Sequence, residues 1–448
     1  MVPAGMVPAA LLVADANVYA APMTETGQGD PEPAKPNTTE LAPIAAVERV
    51  VVLDVVRAFA LYGVLLANTV PWFSAIAFMP REVALAQTDT VDKVFLFLLG
   101  LFVDGKAMAL LTMLFGLGFS VQLERAEARG HSVVPLHVRR LAAMALIGVS
   151  HVLLLWWGDV LWGYAIAGFG LLLFRRVRGW KLLAWGLFLT VVPAFVCSIP
   201  PIFKALRAYT PAPPDFMAFR ADVYAAILGH DRRLLTVLHV KQAIYHVGFI
   251  WIWYFVWLVG RFLVGAWAGT TRIFQEAEAR LPFFRKLLGW GLGLGLLGSA
   301  IHPVRMLLHR RGVVIPELVG LALGPVAELG VMLLAAGYAA AVVLLMQRPA
   351  WRRALSLFAP VGRMPLSTYL GQSLLSTFVF YGWGLGLAGR IHVWWTLPIT
   401  LGIFTLQVIF AHAWLARFRF GPMEWVWRTM TYGRLQPNRL PARQEELA

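Results

Sequence analysis

His151, Asp159 and Asn68 are the residues whose types and placement could support acid–base chemistry. A histidine oriented by a carboxylate is the usual equipment of a general base. In LIGVSHVLLLWWGDVLWGY, His151 sits near the end of one apolar run and Asp159 at the start of the next. With helical rise, His151 lies about 9 Å short of the end of its run, and WWGD turns the chain back. Asn68 ends an earlier apolar run, so the three can share one depth. A histidine bonded to a neighbouring helix for packing explains the same residues, and the sequence leaves both readings open.

A second group sits in VVLDVVRAFALYGVLLANTVPWF, over 51–73. An ionised side chain near a bilayer centre costs about 2.5–3.5 kcal/mol. Asp54, Arg57 and Asn68 nevertheless fall within an arc of about 60° on a helix. That face must look into protein or water. Asp54 and Arg57 are either a buried pair that holds the first helix in place or part of a polar site, with Asn68 as interhelical glue in the first case.

Further polar residues interrupt apolar runs. In FLFLLGLFVDGKAMALLTMLFGLGF, Asp104 and Lys106 either form a pair within the membrane or mark a break, which Gly105 invites. Glu328 follows Gly324 and Pro325, which are placed to kink a helix, and it is either partnered by an arginine such as Arg261 or protonated. GRMPLSTYLGQSLLSTFVFYGWGLGL puts Ser367, Thr368, Tyr369, Gln372, Ser373, Ser376 and Thr377 on one helix, a pattern of close packing or of a substrate-lined groove. Asp54, Arg57, Asp104, Lys106, Arg363, Tyr369 and Gln372 make up the candidate substrate-binding set. GLGLGLLGSA at 291–300 lacks the strand and lysine of a phosphate loop.

The elements that must position these residues are membrane helices. Of 448 residues, 59% are hydrophobic and 14% charged, and the mean hydropathy is +0.68. That composition excludes an ordinary soluble enzyme. The net charge of +15 lies in short clusters between apolar runs, with no nucleic-acid module around them. Cys197 is the only cysteine, which excludes an intrachain disulfide and a thiolate metal cluster. No metal ligand set is expected, and no bound cofactor.

Apolar runs near 50–70, 94–121, 138–157, 160–174, 180–200, 243–266, 287–301, 317–346, 363–387 and 393–416 predict an all-α polytopic transmembrane bundle of about ten helices, with a range of nine to eleven. The fold is thus one transmembrane domain over 46–420. Residues 1–45 read as a disordered tail rich in Pro, Thr and acidic residues, with only a weak resemblance to a signal peptide. Residues 421–448 read as a C-terminal tail. Basic clusters at Arg139–Arg140, 175–181, 272–286 and 347–353 fall on alternate connections, so these face the cytoplasm and both termini with them. HPVRMLLHRR at 302–311 is the exception. The loop 201–242 is then extracytoplasmic, with an amphipathic helix over about 215–240 that either covers a cavity mouth or acts as a spacer.

Five stretches, LDVVRAFALYGVLLANT, FVDGKAMALLTMLFGLGF, LIGVSHVLLLWWGDVLWGYAIAGFGLLLFRR, VGRMPLSTYLGQSLLSTFVFYGWGLGL and GPMEWVWRTMTYGR, together resemble the YeiB-like family of bacterial inner-membrane proteins, a domain of unknown function, over about 50–435. That family is similar to transmembrane acyltransferases of the heparan-glucosaminide N-acetyltransferase type, which take an acyl group from cytoplasmic acyl-CoA to an acceptor across the membrane. The resemblance implies an inner-membrane, multi-pass location and acyl-CoA as donor substrate. Asn68 falls where the relative has its site asparagine. The histidine that follows there has no counterpart in VPWFSAIAFMP, and Ala58 replaces a glycine, so the base would be His151. The leading expectation is an acyltransferase acting on a small-molecule or lipid-linked hydroxyl or amine. A transporter or flippase, with Glu328 or Asp104 carrying a proton, is the alternative. The expected partners are the lipid bilayer, the acceptor and a second copy in a homodimer.

Overall fold

Among lipid tails the backbone has no water to bond, so an apolar run of about 20 residues satisfies its own amides as helix. Each run named above is mainly helix over its described residues. The computed structural model describes residues 50–80, 82–84, 88–130, 132–208, 213–246 and 250–440. The tail expected over 1–45 lies outside these residues. In chain order the helices are α1 (Val51–Asn68), α2 (Thr90–Phe102), α3 (Lys106–Ala128), α4 (Val134–Leu154), α5 (Leu161–Leu173) and α6 (Trp180–Cys197). Next come α7 (Pro200–Ala208), α8 (Phe216–Leu228), α9 (Arg232–His246), α10 (Ile250–Thr270), α11 (Leu281–Trp290) and α12 (Leu296–Arg310). The last are α13 (Glu317–Leu345), α14 (Pro349–Ser356), α15 (Ala359–Arg363), α16 (Pro365–Phe380), α17 (Thr396–Leu415) and α18 (Pro422–Tyr432). Seven helical segments among the described residues are long and apolar enough to cross a membrane. No β-strand is present among them, only an isolated bridge between Phe418 and Arg439.

The run around 94–121 is two helices. Asp89 and Asp92 cap the first reciprocally, each side chain accepting the other's backbone N–H at 2.8 and 3.1 Å. The helix stops at Val103, and Gly105 takes a φ of +80°. The chain restarts at Lys106, whose Nζ turns back to Gly100 O at 2.8 Å. The glycine break is therefore the correct reading, and no ion pair joins Asp104 to Lys106 among the described residues. Asp104 is exposed and Lys106 buried.

α1 and α13 lie at the centre of the bundle, α1 against α3, α15 and α16, and α13 against α3, α6, α11 and α12. Close approach needs glycine. A Cβ on Gly116 of α3 would fall 1.8 Å from Phe262 O of α10, and one on Gly265 of α10 would fall 1.7 Å from Met113 O of α3. Gly298 and Gly330 play the same part between α12 and α13, so the glycine-rich 291–300 segment is a packing surface.

α1 runs from an Asp54 end of the bundle to a His151 end. At the second end the stretch expected as one amphipathic helix over 215–240 is two, α8 and α9, separated at Gly229–Asp231. Asp215 caps the first through Met217 N and Ala218 N, both at 2.9 Å, and Asp231 accepts from Leu234 N at 3.0 Å. Their apolar residues Val223, Ile227, Leu235 and Leu238 are buried with Phe73, Trp156, Phe380 and Tyr381 in one core that closes this end. At the Asp54 end, residues read as a tail from 421 onward begin with α18, which packs on α4 and α16 because its polar side chains find partners there. Trp427 donates to Arg140 O at 2.9 Å, and Glu424 accepts from Leu366 N at 2.6 Å and Ser367 N at 3.1 Å. Burial pushes the Glu424 carboxyl up, while these donors and the Ser367 hydroxyl pull it down.

Gly116→Val is expected to destabilise the protein by at least about 3 kcal/mol, the upper range for overpacking a tight contact. Thermal unfolding of purified protein in detergent tests this. An unchanged melting temperature would mean that α3 and α10 do not meet at this contact.

Candidate functional site

The last turn of α4 sets the position of His151. Its carbonyl accepts from both Leu155 N and Trp156 N, at 2.9 and 3.0 Å, which ends the helix and starts the reversal. Gly158 allows the reversal, since a Cβ there would lie 2.4 Å from the Trp156 ring. Asp159 follows and accepts from Trp162 N through Oδ1 at 3.0 Å, at the positive end of α5. Its Oδ2 meets His151 Nδ1 at 2.8 Å, with both side chains wholly shielded from solvent. Gly148 makes room for this carboxylate, because a Cβ would lie 2.6 Å from Asp159 Oδ1.

A carboxylate on Nδ1 places the proton there and leaves the lone pair on Nε2. His151 Nε2 is buried with no hydrogen-bond partner among the described residues. Tyr369 lies beside the imidazole at 5.4 Å between ring centroids, and its hydroxyl accepts from Val160 N at 3.3 Å. The structure therefore brings His151, Asp159 and Tyr369 together.

The surroundings of this pair were not named from the sequence. Trp156 is 6.4 Å from His151 by ring centroids, Phe73 is 4.6 Å from Trp156, Tyr381 is 6.2 Å from Phe73, and His239 is 6.1 Å from Tyr381. His239 is in turn within electrostatic range of His151. Trp156 Nε1, Tyr381 O–H and His239 Nε2 are buried without a partner among the described residues. Each such group costs about 1–3 kcal/mol when nothing bonds it. Several around one histidine mark a place that water or a polar ligand fills.

The other candidates lie elsewhere. Asn68 is half-buried at the end of α1 and makes no hydrogen bond to His151 or Asp159 among the described residues. Arg57 Nη1 donates to Asp54 Oδ1 at 2.7 Å and to Gly362 O at 3.0 Å, so the pair fastens α1 to α15 at the opposite end. Arg363 is exposed at that end. Gln372 Nε2 bonds Leu61 O at 3.2 Å and Gln407 Oε1 at 3.3 Å, tying α16 to α1 and α17. Glu328 is partnered, as one of its two readings had it. Arg261 donates to Glu328 Oε1 from Nε at 3.0 Å and from Nη2 at 2.5 Å, with its guanidinium 3.6 Å over the Trp257 ring. Among the described residues, Asp89, Asp92 and His392 group ligand atoms within 4.8 Å, but both Asp92 oxygens already accept hydrogen bonds there, from Trp394 N at 2.9 Å and at His392 Nδ1, 3.0 Å away.

The family described as "Protein of unknown function (DUF418)" matches residues 268–434. The chain is similar to the uncharacterized protein YxaH of Bacillus subtilis (strain 168), at 30% identity over 416 residues, 89% of this chain and 98% of that one. It is 28% identical over 406 residues to the uncharacterized protein YeiB of Escherichia coli (strain K12), covering 86% of this chain and 97% of that one. No solved structure matches.

Burial pulls the His239 imidazole down to about 3, and the neighbouring His151 adds to this. An unfolded histidine titrates near 6.5. Below about 6.5 the unfolded chain therefore takes up a proton that the folded chain refuses. The stability contributed by neutral His239 is complete above that pH and is lost as pH falls toward 3. Melting temperatures measured over this range should fall less steeply for His239→Gln than for the native protein. Parallel curves would remove His239 from the buried site.

Proposed function

The chain belongs to the YeiB-like DUF418 family, and on the geometry of the His151 end we propose that it is an integral-membrane, acyltransferase-like enzyme. It moves an acyl group from acyl-CoA to a hydroxyl or amine acceptor. The observation that carries this reading is the shielded His151–Asp159 pair, whose Nε2 has no hydrogen-bond partner among the described residues. In the reaction Nε2 takes the proton of the acceptor O–H or N–H as the acceptor attacks the thioester carbon. The C–O or C–N bond forms, the C–S bond breaks, and the departing thiolate receives the proton back from the imidazolium. Asp159 holds the tautomer and stabilises the imidazolium. The step needs a base and two positioned substrates, and no metal.

In this reading the protein is a multi-pass protein of the bacterial inner membrane with cytoplasmic termini and the His151 end outward. Apart from 302–311, the basic connections named above gather at the Asp54 end, where Arg178 meets Glu127 at 2.5 Å and Arg352 lies 3.7 Å from Glu278. Asp54, Arg57 and Arg363 stand on the donor side, and Asn68 at the acceptor depth. A transporter driven by protons would need an unpaired carboxylate within the bundle. Glu328 is bound to Arg261 and Asp104 is exposed beside a helix break, so no observation favours that alternative.

Release of free CoA by purified protein in nanodiscs, given a panel of acyl-CoAs and bacterial envelope extract, tests the proposal. His151→Ala should lower turnover by about 10²–10⁴-fold, the usual share of a general base, with the melting temperature retained. Absence of release from folded native protein with every donor would overturn it.

A further inference from the structure

Away from the His151 site the bundle holds a cavity of about 850 Å³ that the proposed chemistry does not use. Its lining is almost wholly apolar and includes Val264, Leu287, Leu329, Leu333 and Ala336. Along α13 it extends from Val326 to Ala339, about 20 Å at helical rise. Leu187 of α6 and Leu294 and Leu297 near the start of α12 also line it, and these are 37%, 54% and 69% exposed. The cavity wall is thus part of the outer surface between α6 and α12. A bilayer would present its chains there.

Toward the Asp54 end, Trp267, Ile273 and Phe283 are shared with an adjoining recess of about 360 Å³, which Thr271 and Arg280 also line. The charge at this mouth is positive. Glu276 is bound by Arg280 at 3.0 and 2.6 Å, and Glu278 is approached by Arg352 at 3.7 Å. Arg272 lies between the lining residues Thr271 and Ile273, and Arg285 and Lys286 follow the lining residues Phe283 and Phe284 on α11; all three are exposed and have no carboxylate partner among the described residues.

We propose that this cavity and recess bind one anionic phospholipid of the surrounding bilayer, with an acyl chain in the cavity and the phosphate among Arg272, Arg285, Lys286 and Thr271. Apolar cavities do not hold water, and a hydrocarbon chain is the apolar occupant that the bilayer supplies. The mouth selects the head group, because a phosphate near clustered basic side chains gains charge-assisted hydrogen bonds that a zwitterionic head partly forfeits. The site rests on none of the residues assigned to acyl transfer.

Native mass spectrometry of the full chain in detergent tests this with phosphatidylglycerol and phosphatidylcholine of identical chains. One phosphatidylglycerol should be retained at least about tenfold better than phosphatidylcholine. The combined change Arg272→Gln, Arg285→Gln and Lys286→Gln should reduce it to the phosphatidylcholine level. Ala336→Phe, which fills the cavity, should abolish retention of both. Should a variant not fold, vesicles of phosphatidylglycerol with brominated chains replace it: they should quench the fluorescence that Trp267→Phe removes. Equal retention of the two lipids by the native protein, retention unaffected by the charge changes, or an unquenched Trp267 would each overturn the proposal.

Discussion

A polar group enclosed in this bundle can turn neither to water nor to lipid, and the arrangement of the helices follows from where each such group finds a partner. Arg57 reaches Asp54 and Gly362 O, which fastens α15 to α1. Lys106 reaches Gly100 O across the break between α2 and α3. Arg261 and Glu328 join α10 to α13. Glu424 accepts from the first amides of α16 and so fixes α18 beneath it. Each pairing joins two segments that apolar contact alone would let slide, because leaving either member unpartnered costs several kcal/mol. Against that background His151 Nε2 differs from the paired groups: its ring is held by Asp159 at Nδ1, while Nε2 has no hydrogen-bond partner among the described residues.

Glycine allows these pairings to be made. Gly116 and Gly265 let α3 and α10 touch backbone to backbone, which sets Arg261 at the depth of Glu328. Gly148 does for Asp159 what Gly362 does for Asp54: each yields the volume that a neighbouring segment occupies. In lipid, where hydrophobic burial does not drive helices together, such contacts supply the packing that holds them.

The helices were legible in the sequence because lipid imposes one backbone solution on a long apolar run. The break at Gly105 was legible from one glycine between two charges. His151 and Asp159 were legible as a pair because the WWGD turn is short enough to leave little choice of geometry. His239 was not, since it reaches the site only through packing of α8 and α9 over the end of the bundle against Tyr381, which follows α16, and that packing depends on contacts distant in sequence. Gly148 was hidden for a similar reason: its role is the absence of a side chain opposite Asp159. Asn68 shows the opposite failure. Depth along a helix was read correctly enough to place it near that end, but depth does not give azimuth, and it makes no bond to the pair.

The Arg261–Glu328 pair also has a position that neither residue alone explains. Tyr164 and Tyr254 lie within electrostatic range of Arg261, and with Tyr369 they form a mutually interacting set that reaches Asp159. On the other side, Val264 and Gly265 follow Arg261 along α10, and Val326, Leu329 and Gly330 flank Glu328, all lining the apolar cavity. The ion pair therefore stands between these tyrosines and the apolar cavity. Replacing it with hydrocarbon of similar volume would cost little stability by itself, as buried pairs often break even. It would, however, remove the positive charge that acts on Tyr164 and Tyr254.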